Sequence, residues 1–155
     1  MAQMSERAII DDFLAQKRIA IVGVSRKSTE FANGLFRFMR DQGYDVVPVN
    51  PNAAELEGAT AYPSVKAIPG SVDAALIMTP PRVTEAVVRD CAEAGIPRVW
   101  LHRAIGDGAT SEAAIAFCRE NGIDVVPGRC PYMFLGGFPH NLHGWILKIT
   151  GNFPT

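Results

Sequence analysis

The chain has 155 residues, 15 Lys and Arg against 16 Asp and Glu for a formal charge of −1, and 48% hydrophobic residues. That length suits one domain whose core hides roughly 70% of the unfolded surface without a disulfide or a metal. Balanced charge excludes a one-signed field for nucleic acid or an anionic membrane, no apolar run nears the roughly 18 residues of a membrane span, and Met1–Arg7 lacks a signal-peptide run.

In chain order, Ser5 is set to cap a first helix whose apolar side is Ile9, Ile10, Phe13 and Leu14. Arg18-Ile19-Ala20-Ile21-Val22-Gly23 predicts a strand buried on both faces. Phe31, Leu35, Phe38 and Met39 predict a helix that stops at Gly43. Asp45–Asn50 predicts a second strand. The Pro-rich segment from Asn50 to Pro69 predicts only a short helix capped by Ser64. Asp73–Met78 predicts a third strand. A helix from about Pro80 to Ala94 follows, with Thr79 as N-cap and Val83, Val87 and Cys91 one turn apart. Arg98–His102 predicts a strand, about Ser111 to Gly122 a helix, and Asp124–Pro127 a fifth strand. A Gly/Pro/aromatic stretch and an amphipathic helix from about Asn141 to Ile149 end the chain.

Strands alternating with helices predict a single α/β domain over residues 1–155, a doubly wound, Rossmann-like parallel sheet with helices on both faces and an aromatic extension from about residue 128. Asp-Val-Val-Pro occurs at Asp45 and again at Asp124. Each proline then requires a sheet edge or a bulge, because it has no N–H for a ladder.

Ligands of such sheets bind beyond the strand carboxyl ends, here the loops starting at Gly23, Asn50, Thr79 and His102. The loop Gly23-Val24-Ser25-Arg26-Lys27-Ser28-Thr29 joins a strand to a helix. Free backbone N–H groups, the helix dipole, three hydroxyls and two cations make it a phosphate or pyrophosphate cradle. An ordinary capped turn is the alternative. The loop lacks the second and third glycines of G-x-G-x-x-G, and Asn50 replaces the acid that would hold a ribose hydroxyl, so NAD is disfavoured. Asn50-Pro51-Asn52 can meet a nucleoside or simply turn the chain. Thr79-Pro80 can meet ligand or simply start a helix.

His140 and His143 are one helical turn apart, and Cys130 and His102 are further ligand types. Without a second Cys pair or an H-E-x-x-H, no metal site is expected, and no nucleophile–base set demands catalysis. Cys91 and Cys118 read as core residues, and Cys130, in Gly128-Arg129-Cys130-Pro131, as a candidate reactive thiol. Three widely spaced cysteines suit the reduced thiols of a cytoplasm.

Ile19–Ser25, Gly43-Tyr44-Asp45-Val46-Val47-Pro48-Val49-Asn50-Pro51, Gly58…Tyr62-Pro63-Ser64 and Arg129-Cys130-Pro131 carry a resemblance over about residues 12–135. The chain resembles small stand-alone coenzyme A-binding proteins, similar to the N-terminal domain of the succinyl-CoA synthetase alpha subunit. The resemblance implies CoA or acyl-CoA as ligand. Gly23, Val24, Ser25, Arg26, Lys27 and Ser28 would meet the phosphates. Asn50, Pro51 and Asn52 would lie near the adenosine, Thr79 and Pro80 along the pantetheine, and His102 at the distal end. Two positions depart from the family. Trp100-Leu101-His102-Arg103-Ala104 stands where Trp-x-Gln-x-Gly is usual, and Gly128 stands where an acid usually precedes Arg-Cys. The synthetase's phosphorylated histidine belongs to another domain, so ligase activity does not carry over. The expectation is a CoA binder with no defined catalytic centre. Its partner is a small-molecule nucleotide, not nucleic acid or membrane, with a homo-oligomer or protein partner left open. A small NAD(P)-dependent oxidoreductase domain and a nucleotide-sensing regulatory module are the alternatives.

Overall fold

The computed structural model describes residues 4–103 and 108–135. Ser5 accepts the Ala8 N–H and caps α1 (Glu6–Leu14). There follow β1 (Arg18–Val22), α2 (Phe31–Asp41), β2 (Asp45–Val49), β3 (Glu55–Leu56), β4 (Ala59–Thr60), β5 (Ala74–Ile77), α3 (Pro81–Glu93), β6 (Arg98–His102), α4 (Glu112–Glu120), β7 (Asp124–Arg129) and α5 (Tyr132–Leu135). Ser64 caps a 3-10 turn over Val65–Ala67. The predicted helix from about Asn141 lies outside the described residues, as do His140 and His143.

All five predicted strands form one parallel sheet, in the order β2-β1-β5-β6-β7. The order reverses between β1 and β5, which opens a crevice at their carboxyl ends. The short antiparallel pair β3–β4 stands apart. Its two-residue strands are too short to show a period in the sequence.

Side-chain alternation builds two cores. Ile19 and Ile21 of β1 face one layer with Ile10, Phe13, Leu35, Phe36, Met39 and Trp100. Ala20 and Val22 face the other with Val88, Cys91, Ala114 and Cys118. Trp100 is fully buried, packs edge-on against Phe13 at 5.2 Å, and donates its indole N–H to the Arg129 carbonyl at 2.8 Å. Each large apolar side chain removed from water contributes about 1.5–3 kcal/mol.

The helix faces differ from expectation in two places. On α2 the buried stripe is Ala32, Leu35, Phe36 and Met39, while Phe31 is 48% exposed and Phe38 only half-buried. On α3 it is Thr84, Val88 and Cys91, while Val83 is 37% exposed. The helix starts one residue later than predicted, and Pro80, not Thr79, is the N-cap. The reason is Pro81, which holds the residue before it in extended backbone, here at φ −59° and ψ 149°. Thr79 Oγ1 instead bonds Thr84 Oγ1 at 2.9 Å, and Thr84 also donates to the Pro80 carbonyl at 3.2 Å. That pairing lets a threonine occupy the core stripe.

Both strand prolines lie where they must. Pro48 is in β2 and Pro127 in β7, the two edges of the sheet. Between the pairs Leu101–Pro127 and His102–Arg129 the register slips, leaving Gly128 as the extra residue of a bulge at φ +90°. A Cβ at Gly128 would lie 2.9 Å from Thr110 Oγ1 and 3.2 Å from Arg103 Cδ, so a side chain here would strain the left-handed backbone and displace both neighbours. No helix among the described residues is long and apolar enough to cross a membrane.

Candidate functional site

The loop after β1 enters the crevice at Gly23. Its φ is +110°, and a Cβ there would sit 2.8 Å from the Met78 carbonyl oxygen, so only glycine lets the two strand ends approach this closely. Beyond it the loop runs to Glu30, and α2 begins at Phe31, the first apolar residue of the predicted helix.

The expectation of a loop full of free N–H groups needs correction. Gly23 N–H donates to the Val49 carbonyl at 3.2 Å, Ser25 N–H to Asn33 Oδ1 at 2.9 Å, and Lys27 N–H to Ser25 Oγ at 3.0 Å. Three of the loop's seven N–H groups are thus committed to a neighbouring strand, to α2 and to the loop's own turn, and the Ser25 hydroxyl is spent on that turn. Arg26, Lys27 and Ser28 remain exposed. Val24 is fully buried and serves the core.

Asn33 organises this loop, and it escapes the sequence reading. It is 1% exposed, and its amide also donates to the Ser25 carbonyl at 2.7 Å and to Glu57 Oε1 at 3.0 Å. Arg37 reaches the same carboxylate oxygen at 2.8 Å and the Ser28 carbonyl at 3.2 Å. Arg40 donates to the Glu57 carbonyl at 2.7 Å. Glu57 holds a left-handed φ of +53° at the β3–β4 turn. The Asn33 amide, with the Arg37 guanidinium behind it, outweighs burial and holds the Glu57 carboxyl below its ordinary 4.5. The only signal in the sequence is a polar side chain inside an apolar helical stripe.

Asn50 is similarly committed. Its amide donates to the Val24 carbonyl at 2.9 Å, and its oxygen accepts the Asn52 N–H at 2.7 Å. It therefore struts one loop against the other, whereas Asn52 is exposed.

Two pockets open at the strand ends, and Gly23 and Thr79 border both. The smaller, about 240 Å³, has Asn50 and Pro51 on one side, Pro63, Ser64 and Val65 on another, and Val83, Ala86, Val87 and Asp90 of α3 opposite. Val83 and Ala86 of α3, which stay exposed, line this pocket, and Val87 borders both it and the core. The larger, about 640 Å³, is lined by Ser25, Glu30, Phe31, Ala32, Met78, Pro80, His102, Gly108 and Ala109. Thus Gly23, Ser25, Asn50, Pro51, Thr79, Pro80 and His102 come together at one crevice, while Val24, Arg26, Lys27, Ser28 and Asn52 line neither pocket. A third cavity, about 340 Å³ between α1 and β7, contains none of them.

The β6–β7 bulge sets His102 at the crevice floor. It is 9% exposed, its Nε2 has no hydrogen-bond partner among the described residues, and its ring lies 5.2 Å from that of Phe31. Burial pushes the imidazole down from 6.5 to about 4, so it is neutral at physiological pH.

Cys91, Cys118 and Cys130 are buried free thiols. Burial raises all three, Cys118 to about 11. The thiolate is the reactive form. In native protein at pH 8, iodoacetamide is therefore expected to label all three far more slowly than free cysteine. Rapid labelling of Cys130 would restore it as a reactive thiol. Among the described residues no group of three His, Cys, Asp or Glu is placed to hold a metal.

A profile described as "CoA binding domain" matches residues 17–135. The alpha subunit of acetate–CoA ligase [ADP-forming] II from Pyrococcus furiosus is 35% identical over 105 residues, 67% of this chain and 23% of that protein. The chain thus spans about a quarter of that subunit's length. An uncharacterized Bacillus subtilis protein, YneT, is 30% identical over 129 residues, 83% of this chain and 93% of that protein. A hypothetical protein from Pyrococcus horikoshii OT3 superposes with a TM-score of 0.75 at 27% identity, covering 95% of this chain and 99% of that one.

Proposed function

Because the chain belongs to the CoA binding domain family, we propose that it binds CoA or an acyl-CoA across the Gly23–Thr79 saddle, with no catalytic centre of its own. The observation that carries this reading is the pair of pockets meeting at that saddle, beneath a loop that bears Arg26 and Lys27. The smaller pocket is a slot with aliphatic walls and polar groups at Asn50, Ser64 and Asp90, suited to a nucleobase and its ribose. Arg26 and Lys27 supply charge to the phosphates. The pantetheine passes Thr79 and Pro80, and its sulfur end enters the larger pocket toward His102.

Titration calorimetry tests this. CoA is expected to bind more tightly than NADP, and equal or tighter NADP binding would favour the oxidoreductase reading. A charge-assisted hydrogen bond is worth roughly 1.5–3 kcal/mol, so Arg26→Ala/Lys27→Ala is expected to weaken CoA roughly tenfold to a hundredfold. Its salt dependence is expected to flatten. Both side chains are exposed, so folding should hardly change. Unchanged affinity would mean that these cations are only solvated surface.

A further inference from the structure

The larger pocket carries a statement about the ligand's far end, which rests on the CoA reading. Its wall is mostly apolar: Phe31, Ala32, Met78, Pro80 and Ala109, with Gly23 and Gly108. No lysine or arginine is among the described residues that line it. Among the described residues that line it, the one charged side chain is Glu30, an acid. His102 is neutral at physiological pH and adds no charge. Among the described residues the large exposed hydrophobics are Met4, Phe31 and Val83. Phe31 borders this pocket and Val83 the smaller one, so two of the three side chains left in water border the two pockets. Phe31 is not loose there. Its ring is held at 5.2 Å from His102 and 5.7 Å from Tyr132.

We propose that this pocket takes the acyl group of an acyl-CoA, and that it selects an uncharged aliphatic chain over one ending in a carboxylate. An aliphatic chain would cover Phe31 and Met78 and remove both from water. Each methylene so buried is worth roughly fourfold in affinity. A terminal carboxylate would lose its hydration without gaining a cation among the described lining residues and would face Glu30.

Hexanoyl-CoA and glutaryl-CoA are nearly equal in length and differ at the chain end, so they separate these effects. In calorimetric titrations hexanoyl-CoA is expected to bind at least tenfold more tightly than CoA, which corresponds to two or more buried methylenes. Glutaryl-CoA is expected to bind no better than CoA. Phe31→Arg places a cation at the pocket mouth and is expected to invert the hexanoyl-to-glutaryl ratio. That ratio is internal to one protein sample, and circular dichroism verifies that the variant is folded. CoA binding with hexanoyl-CoA no tighter, or with glutaryl-CoA tighter, would overturn the acyl preference alone. An unchanged ratio in folded Phe31→Arg would overturn the role of this pocket. Failure of CoA and both of its thioesters to bind would overturn the CoA reading itself, and this inference with it.

Discussion

Replacing Asn33 with leucine is expected to destabilise the protein by about 2–4 kcal/mol and to weaken CoA binding at least about tenfold. The side chain is fully enclosed and makes three hydrogen bonds, two of them to the backbone of one residue, Ser25. Leucine of similar size leaves the Ser25 N–H and carbonyl without their protein partners in a half-buried loop. Each such group costs about 1–3 kcal/mol. The ligand loop also loses what fixes its path, so binding would have to restore that order. Asn33→Asp sharpens the test. A carboxylate can still accept the Ser25 N–H, yet it meets the Ser25 carbonyl and Glu57 with the wrong sign. This variant is expected to be the less stable of the two at pH 7 and to recover partly in acid, where the added group protonates. Urea denaturation and calorimetry on both variants measure these effects. Wild-type stability in Asn33→Leu would mean that Arg37 alone holds the loop.

Acid is expected to cost the protein up to about 3 kcal/mol through His102, from a drop of some two and a half pH units at about 1.4 kcal/mol each. The direction follows from which state takes up the proton. In the unfolded chain the imidazole protonates near 6.5, whereas in the folded chain it stays neutral until about 4. Between these values the unfolded state binds more protons, so stability falls as pH falls from about 6.5 to about 4 and changes no further through this group below that. His102→Gln removes the titration and is expected to flatten that window in urea denaturation measured at pH 7 and pH 4.5. A lowered carboxylate has the same sign at lower pH. Glu57 contributes stability above its ordinary 4.5 and loses it as pH falls below that, so it acts in the same direction as His102, and its window opens before that of His102 has closed. Equal slopes for wild type and His102→Gln across pH 6.5 to 4.5 would show that water reaches the imidazole.

The parallel sheet was legible in the sequence because its strands are continuous apolar runs closed by turn residues, as in Ile19–Val22. The prolines of the repeated Asp-Val-Val-Pro required an edge or a bulge, and both stand on edge strands, Pro127 beside a bulge as well. Pairing order, by contrast, is not written in any one strand. The helix faces were legible only to within a residue or two. Phe31 and Val83 fit an apolar spacing, but spacing cannot distinguish a side chain facing the core from one facing a pocket beside it. Gly23 and Thr79 were placed correctly by the rule of strand ends. The Asn33–Glu57–Arg37 network was not visible, because it joins a helix to a hairpin 24 residues away through hydrogen bonds that have no period. Asn50 shows the same limit. Its amide can serve a ligand or a neighbouring loop, and only the fold decides between them.

The two flanking prolines also bear on how this domain can associate with other chains. On the β2 flank the Pro48 carbonyl already accepts the Tyr62 N–H at 3.1 Å, and the Tyr62 carbonyl accepts the Asn50 N–H at 2.9 Å, so a segment of the same chain occupies the open rung. On the β7 flank Pro127 removes a donor and the Gly128 bulge breaks the spacing that a visiting strand would need to match. Neither flank is therefore a template for fibril growth or sheet-to-sheet fusion. Contacts with another domain or chain are therefore expected on helices or loops, away from the hydrogen-bonded rungs that set the spacing of the two pockets.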